Sequence, residues 1–289
     1  MTKQNSELII NDDGSIYHLG ILPEDLANDI IVVGDPGRVI TISDRFDHIR
    51  VKKQNREFVT HTGTLNGKEL TVLSTGIGTD NIDIVMNELD ALVNFDLNKR
   101  EEKAQKKSLR IIRLGTSGGL QTDIEIDSFL LSEFSVGMDG LLNYYSWLPN
   151  ETENNLEKAL NHHFQWPERY PLPYAVEADA ELVQLLEKGM TKGITLTAGG
   201  FYAPQGRSLR LALPVADFHT QIQAFNWGGK KLTNFEMESA AIYGLGKLLG
   251  HKCCTVCAII ANRANGTFSK QHNATISRLI DDVLDKLTT

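Results

Sequence analysis

The chain has 289 residues, 41% hydrophobic and 23% charged, which suits a globular protein with one substantial core and excludes a disordered or fibrous chain. A formal net charge of −8 leaves no basic stripe to displace counterions from a polyanion, so any link to nucleic acid runs through monomers. No apolar run reaches the roughly 18 residues of a membrane span, the start MTKQNSELIINDDGS lacks a leader pattern, and three clustered cysteines make no disulfide framework, so a reducing cytoplasm is the expected setting.

Short runs rich in Val, Ile and Leu at 30–33, 70–73, 109–114, 129–136, 194–197 and 254–261 each stop at glycine or a small polar residue, the pattern of strands buried on both faces. Between the second and third, Ile82, Val85, Met86, Leu89, Leu92 and Val93 step by threes and fours along one helical stripe. The polar stretch 98–108 reads as a solvated helix end and loop. Residues 141–174 gather Tyr144, Tyr145, Trp147, Trp166 and Tyr170 with four prolines, an aromatic insertion that is either a lid, a subunit contact or a long loop packed on its own domain. The chain closes with a helix on Ile276, Leu279, Ile280, Val283, Leu284 and Leu287. Alternating strands and helices imply an α/β fold with a mixed or parallel sheet, and no composition break marks a second domain.

Four segments carry chemistry. Gly34-Asp35-Pro36-Gly37-Arg38 joins the first strand to a helix, and glycine amides, a helix N-terminus and the Arg38 guanidinium suit an anion, although a plain strand-to-helix turn has the same composition. Arg113-Leu114-Gly115-Thr116-Ser117-Gly118-Gly119 reads as an arginine near a strand end followed by a glycine-rich hydroxyl loop, where ligands sit in open α/β sheets. Phe201-Tyr202-Ala203-Pro204-Gln205-Gly206-Arg207 offers a stacking face, an amide and a planar fork for a flat heterocycle. Asn234-Phe235-Glu236-Met237-Glu238-Ser239 sets two carboxylates for a vicinal diol beside a thioether for a sugar face, though acids favour a first helical turn regardless of function. No Walker A loop, complete dinucleotide fingerprint or metal-ligand spacing occurs, so ATP, NAD and metal sites are not expected, and Cys253, Cys254 and Cys257 read as core.

In this order, and together with Tyr17-His18-Leu19-Gly20, Asn55-Arg56-Glu57-Phe58, Ser74-Thr75-Gly76-Ile77-Gly78 and Ile260-Ala261-Asn262-Arg263, the segments resemble the nucleoside phosphorylase-I family, more closely its uridine phosphorylase branch. The resemblance implies a single α/β domain over 1–289 with a central mixed β-sheet flanked by helices. It further implies active sites shared between subunits of a homo-oligomer, a dimer-based hexamer in many members. By the same resemblance Gly34, Arg38, Arg113 and Thr116 would bind phosphate, with Arg56 reaching in from the neighbouring subunit. Glu238 and Met237 would hold the ribose with Glu236 assisting, and the neighbour's His18 would meet the 5′-hydroxyl. Phe201, Gln205 and Arg207 match the uracil-recognising positions, with Ser117 and Gly118 on the base side. Arg263 stands where purine enzymes carry an acid.

The activity so implied is phosphorolysis of uridine to uracil and ribose 1-phosphate, a step of pyrimidine salvage. Inorganic phosphate is the co-substrate, there is no cofactor, and Arg207, Gln205, Arg263 and Glu238 are the catalytic group. A purine nucleoside phosphorylase or a nucleosidase of the same family is the alternative, and a non-catalytic nucleoside-binding relative is the reading from another class. The monovalent cation known near the Glu57 position of relatives is not expected, because the matching serine position reads Asn81.

Overall fold

The computed structural model describes residues 2–164 and 166–289; Gln165, inside the 141–174 stretch, and Met1 lie outside the described residues. The chain forms two compact units, one built from residues up to Ile112 with Leu245–Lys252, the other from Arg113–Gly244 with Cys253–Leu287.

In the first unit β1 (Asp29–Val33) leads into α1 (Pro36–Ser43), then β2 (His48–Asn55), β3 (Phe58–Leu65), β4 (Lys68–Ser74) and α2 (Thr79–Asn94). The strand order is β1-β4-β3-β2, parallel between β1 and β4 and antiparallel from there. All five residues of β1 are buried, as its unbroken apolar run requires of a strand covered on both faces. The six stripe residues of α2 are all buried. The stretch after α2 differs from expectation: β5 (Phe95–Asp96) and β6 (Glu101–Glu102) pair as a small hairpin. Asp96 makes the turn by accepting from the backbone N–H groups of Asn98 and Lys99, both at 3.1 Å, a local bond that competes with helix.

β7 (Arg110–Gly119) is the strand that passes into the second unit. Its length corrects the sequence reading, since the expected glycine-rich loop is strand to its end, with Gly118 and Gly119 opposite Phe235 and Asn234. Glycine serves close approach here: a Cβ on Gly115 would fall 1.9 Å from Arg113 Nη1. The second unit continues with β8 (Phe129–Gly137), α3 (Glu151–His163), β9 (Tyr174–Glu177), α4 (Ala180–Leu186), β10 (Thr191–Thr197), α5 (Phe218–Ala224), β11 (Leu232–Glu236), α6 (Ser239–Leu249, whose last turn belongs to the first unit), β12 (Lys252–Asn262), β13 (Thr267–Phe268) and α7 (His272–Thr288). Its order β13-β12-β8-β10-β11-β7 mixes parallel β8, β10 and β11 with antiparallel neighbours, and β9 adds to β8. In α7, Leu279, Ile280, Val283, Leu284 and Leu287 are buried, and each such side chain removed from water contributes about 1.5–3 kcal/mol.

Part of the aromatic insertion packs on its own unit, while Tyr144, Leu148 and Leu172 stay exposed. Asn150 and Glu153 close a reciprocal cap on α3, with Asn150 Oδ1 accepting from the Glu153 N–H at 2.9 Å and Glu153 Oε2 from the Asn150 N–H at 2.7 Å. Leu156, Leu160 and Phe164 then join Phe134, Phe218, Phe225 and Phe235 in one core.

Candidate active site

In the second unit β11 ends at Glu236 and α6 begins at Ser239, so the motif Glu236-Met237-Glu238 is a strand-to-helix corner. Glu236 caps it: Oε2 accepts from the backbone N–H of Glu238 at 2.9 Å and of Ser239 at 2.8 Å, and from Ser239 Oγ at 2.8 Å. Thr197, at the end of β10, donates to Glu236 Oε1 and accepts from the Ala240 N–H at 2.9 Å. Glu236 is therefore spent on holding the corner, while Glu238 faces Arg113. The Arg113 guanidinium is buried, bonded to Glu238 Oε2, 3.4 Å from Glu236 Oε2 and 3.4 Å from Cys257 Sγ. Burial opposes its charge, but the two carboxylates outweigh that and hold its pKa above the ordinary value.

Arg113, Glu236 and Glu238 thus form one buried ion cluster with Met237 half-buried above it. Ser117, two pleats further along β7, accepts from Asn234 Nδ2 at 3.0 Å, and Thr116 between them is half-buried. The Cys257 thiol, on β12, is pushed up to about 11 by burial and stays protonated, consistent with a core role.

The base-side segment lies after β10. Gln205 is buried, whereas Phe201, Tyr202, Ala203 and Pro204 are exposed. Arg207 Nη1 donates to the Phe201 carbonyl at 2.6 Å and to Gln205 Oε1, and its guanidinium stacks over the Phe201 ring at 3.9 Å. The three expected uracil residues are therefore one self-bonded cluster, with Gln205 Nε2 unpartnered among the described residues. Arg263, just past β12, donates from its backbone to the Gly119 carbonyl at 2.8 Å and from Nη1 to the Gln205 carbonyl. Its aliphatic stem runs along Gly118, where a Cβ would lie 3.6 Å from Arg263 Cγ. Burial first and Arg207 second lower the Arg263 guanidinium to about 10, which still leaves it charged at neutral pH.

His219 was invisible to sequence reasoning. Its Nε2 lies 2.7 Å from Arg263 Nη2 and 3.2 Å from the Gly206 carbonyl, and burial, then Arg263, keep its pKa below the ordinary value. Thr197 was equally unmarked. A lone histidine or strand threonine has no pattern of its own, and only the fold supplies the partners. An apolar cavity of about 240 Å³ lies against the same loop, lined by Met138, Pro171, Pro204, Leu213, Val215 and Phe218.

In the first unit, Gly34 and half-buried Arg38 flank the start of α1. Here the structure modifies expectation, because the Asp35 side chain already accepts from the Gly37 N–H at 2.9 Å. The helix N-terminus is capped by that carboxylate, so the Gly37 amide is not open to an anion. Elsewhere in that unit His18 and Arg56 come together: Asn55 Nδ2 donates to the Tyr17 and His18 carbonyls at 3.2 and 2.9 Å, and Arg56 sits 5.7 Å from the Tyr17 ring centroid. Glu88 grips His18 Nδ1 at 2.6 Å and accepts from its backbone N–H at 3.0 Å. Asn81 Nδ2 donates to Glu57 Oε1 at 3.2 Å.

The family model of the phosphorylase superfamily matches residues 29–287. The chain belongs to the phosphorylase superfamily. Among its members, uridine phosphorylase of Thermococcus kodakarensis is 30% identical over 263 residues, covering 90% of this chain and 82% of that one. Uridine phosphorylase of Escherichia coli is 28% identical, covering 86% of each. A nucleoside phosphorylase of Trypanosoma brucei, whose crystal structure is described with uridine phosphorylase activity, superposes with a TM-score of 0.89 at 28% identity, covering 97% of this chain and 99% of that one. This superfamily member is an α/β protein with a mixed sheet, as the resemblance implied.

Proposed function

We propose that the chain is a uridine phosphorylase. The observation that carries the reading is the base-side cluster, in which Gln205, Arg207 and Phe201 are bound to one another and Arg263 supports them where an acid would serve a purine. The Gln205 amide has a donor and an acceptor side by side, the complement of the adjacent carbonyl and N3–H of uracil, and Phe201 supplies a stacking face. Relatives at 27–30% identity over most of the chain are named uridine phosphorylases, which supports the same substrate.

A phosphate oxygen attacks C1′ of the ribose, the C1′–N1 bond breaks with its electron pair left on the base, and the proton shed by hydrogen phosphate as the ester forms ends on uracil. Ribose 1-phosphate is the second product. Arg207, with Gln205, stabilises the charge that develops on the uracil carbonyls, and acts electrostatically because a guanidinium keeps its proton at working pH even where burial lowers its pKa. Glu238 exchanges its bond to Arg113 for the ribose hydroxyls, Met237 packs on the sugar, and Glu236 holds the corner. Gly34, Arg38, Arg113 and Thr116 are assigned to phosphate, and Ser117 and Gly118 to the base side. The reaction balances with phosphate alone and calls for no further cofactor.

Residues 1–289 act as one phosphorylase domain in this reading, because the matched span 29–287 runs through both compact units without a break. His18 and Arg56 serve the site of a neighbouring subunit in a homo-oligomer, a dimer-based hexamer. Their joint fixation by Asn55 and Tyr17 supports delivery as a pair, and Arg56 is exposed. The cytoplasm is the proposed compartment; among the described residues no helix is long and apolar enough to cross a membrane. Following uridine and phosphate by ³¹P NMR tests the reaction. Ribose 1-phosphate formed in step with uracil is the expected result, and uracil released equally without phosphate would make the protein a hydrolase.

A further inference from the structure

Beneath the base loop, Arg263, His219 and two consecutive carbonyls form a knot. Arg263 holds the Gln205 carbonyl through Nη1 and approaches His219 Nε2 to 2.7 Å through Nη2, while the Gly206 carbonyl lies 3.2 Å from the same Nε2. Arginine carries donors only. At that separation Nε2 must therefore present its lone pair, the imidazole proton sits on Nδ1, and the Gly206 carbonyl faces an acceptor without a hydrogen bond between them. Gly206 has φ +68, and a Cβ there would come 2.8 Å from His219 Nε2, so the ring fills the space a side chain would need.

The ring is placed firmly. His219 follows Phe218 in the first turn of α5, and the Phe218 ring packs 6.0 Å from Phe164, 6.2 Å from Trp166 and 6.3 Å from Phe235, centroid to centroid. The insertion helix α3 thereby braces α5 from behind, with His163 Nε2 at 2.7 Å from the Gln221 carbonyl.

We propose that His219 is a positioning residue: as the neutral acceptor for Arg263 it keeps that arginine on the Gln205 carbonyl and so holds the Gln205-Gly206-Arg207 turn ready for the base. The proposal rests on the reading of this turn as the base-binding element. Protonation of the ring places a new N–H against Arg263. The two donors repel, Nε2 turns to the Gly206 carbonyl, and Arg263 loses the partner that fixes it. Among the described residues the charged groups facing the ring are Arg263 and Arg207, both cations. Asp217, the acid before α5, is engaged with Gln221 Nε2 at 2.9 Å, and His163 meets the helix at Gln221.

His219→Gln keeps an acceptor that cannot titrate, and His219→Phe keeps the packing without an acceptor. With uridine and phosphate at about pH 7.5, kcat/KM of H219Q stays within about threefold of the parent, while H219F falls about 10- to 100-fold, with KM for uridine rising more than KM for phosphate. As the pH falls below 6.5 the parent loses activity that H219Q retains; the titration of phosphate is common to both and cancels in their ratio. Parallel pH profiles, or an H219F enzyme as active as the parent, would overturn the proposal. A readout independent of turnover is ¹⁵N NMR of labelled histidine, with H219Q assigning the signal. An Nδ1–H tautomer is expected, titrating below 6.5 and moving up in Arg263→Ala. An Nε2–H tautomer, or a midpoint unmoved by R263A, refutes the positioning role even if uridine is not the substrate, whereas loss of the uridine reading alone would leave the NMR result standing.

Discussion

The sugar-side corner and the base loop are built on opposite principles. At the corner, Arg113, Glu236 and Glu238 are buried, and the acid that caps α6 lies within three residues of every amide it accepts from. In the base loop, Phe201 and Tyr202 are exposed, and the turn at Gln205 is secured by Arg263, 58 residues away in sequence. In the proposed reading, chemistry common to all nucleosides, the ribose diol, falls to a buried ion cluster that joins the capped corner to Arg113. In the same reading, chemistry that distinguishes bases falls to a partly exposed loop held by Arg263.

The largest effect that tests this contrast is on Arg113. Arg113→Met leaves two buried carboxylates without a counter-charge, and breaking a buried pair in this way costs about 3–5 kcal/mol. Urea unfolding should show that loss together with loss of activity; an R113M protein as stable as the parent would mean the cluster is not the structural anchor described. Arg207→Ala should divide the corner from the loop, lowering kcat by about 10²- to 10³-fold with stability changed by less than about 0.5 kcal/mol. Nearly full turnover in R207A contradicts the electrostatic role of that guanidinium.

Intermediate effects come from residues assigned to a neighbouring site. Arg56→Ala and His18→Ala should lower kcat/KM with the fold intact, and mixing the R56A protein with an R207A protein should restore activity above either alone by forming hybrid sites. No recovery on mixing argues for sites complete within one subunit.

The smallest effects belong to titration and the thiols. Because the His219 pKa lies below 6.5, the unfolded chain binds that proton more readily, so its contribution to stability is complete above about pH 6.5 and declines as the pH falls below it. Urea unfolding of the parent should lose more stability between about pH 7.5 and about pH 5.5 than H219Q does. Cys253, Cys254 and Cys257 are buried with raised pKa values, so thiol reagents should label them only after unfolding.

What the sequence made legible follows from where each signal resides. β1 and β12 announce themselves because strands covered on both faces must be apolar throughout, and α2 and α7 because one stripe must be. β2 was not read: along His48–Asn55 only Ile49 and Val51 are apolar, on a strand whose residues alternate between exposed and half-buried. β11 carries no such signal because Leu232–Glu236 buries Thr233, Asn234 and Glu236, polar groups satisfied inside by the Ile194 carbonyl, by Ser117 and Thr195, and by Thr197 and Ser239 in turn. The motif residues of the corner were readable as a group because they are contiguous. His219 was not, because its partners Gly206 and Arg263 stand 13 and 44 residues away. Of the insertion's rings, Phe164 and Trp166 pack against Phe218 of their own unit, whereas Tyr144 and Tyr170 stay exposed.

The most direct test of the central claim is the ratio of kcat/KM for uridine to that for inosine, measured on the purified protein with phosphate and repeated without it. A pocket built to pair with one base edge leaves buried groups unpaired when offered another, so a preference for uridine approaching about 10⁴ is expected, with no release of either base in the absence of phosphate. A ratio at or below one would keep the fold and the ion cluster but contradict the assignment of Gln205 and Arg207 to uracil.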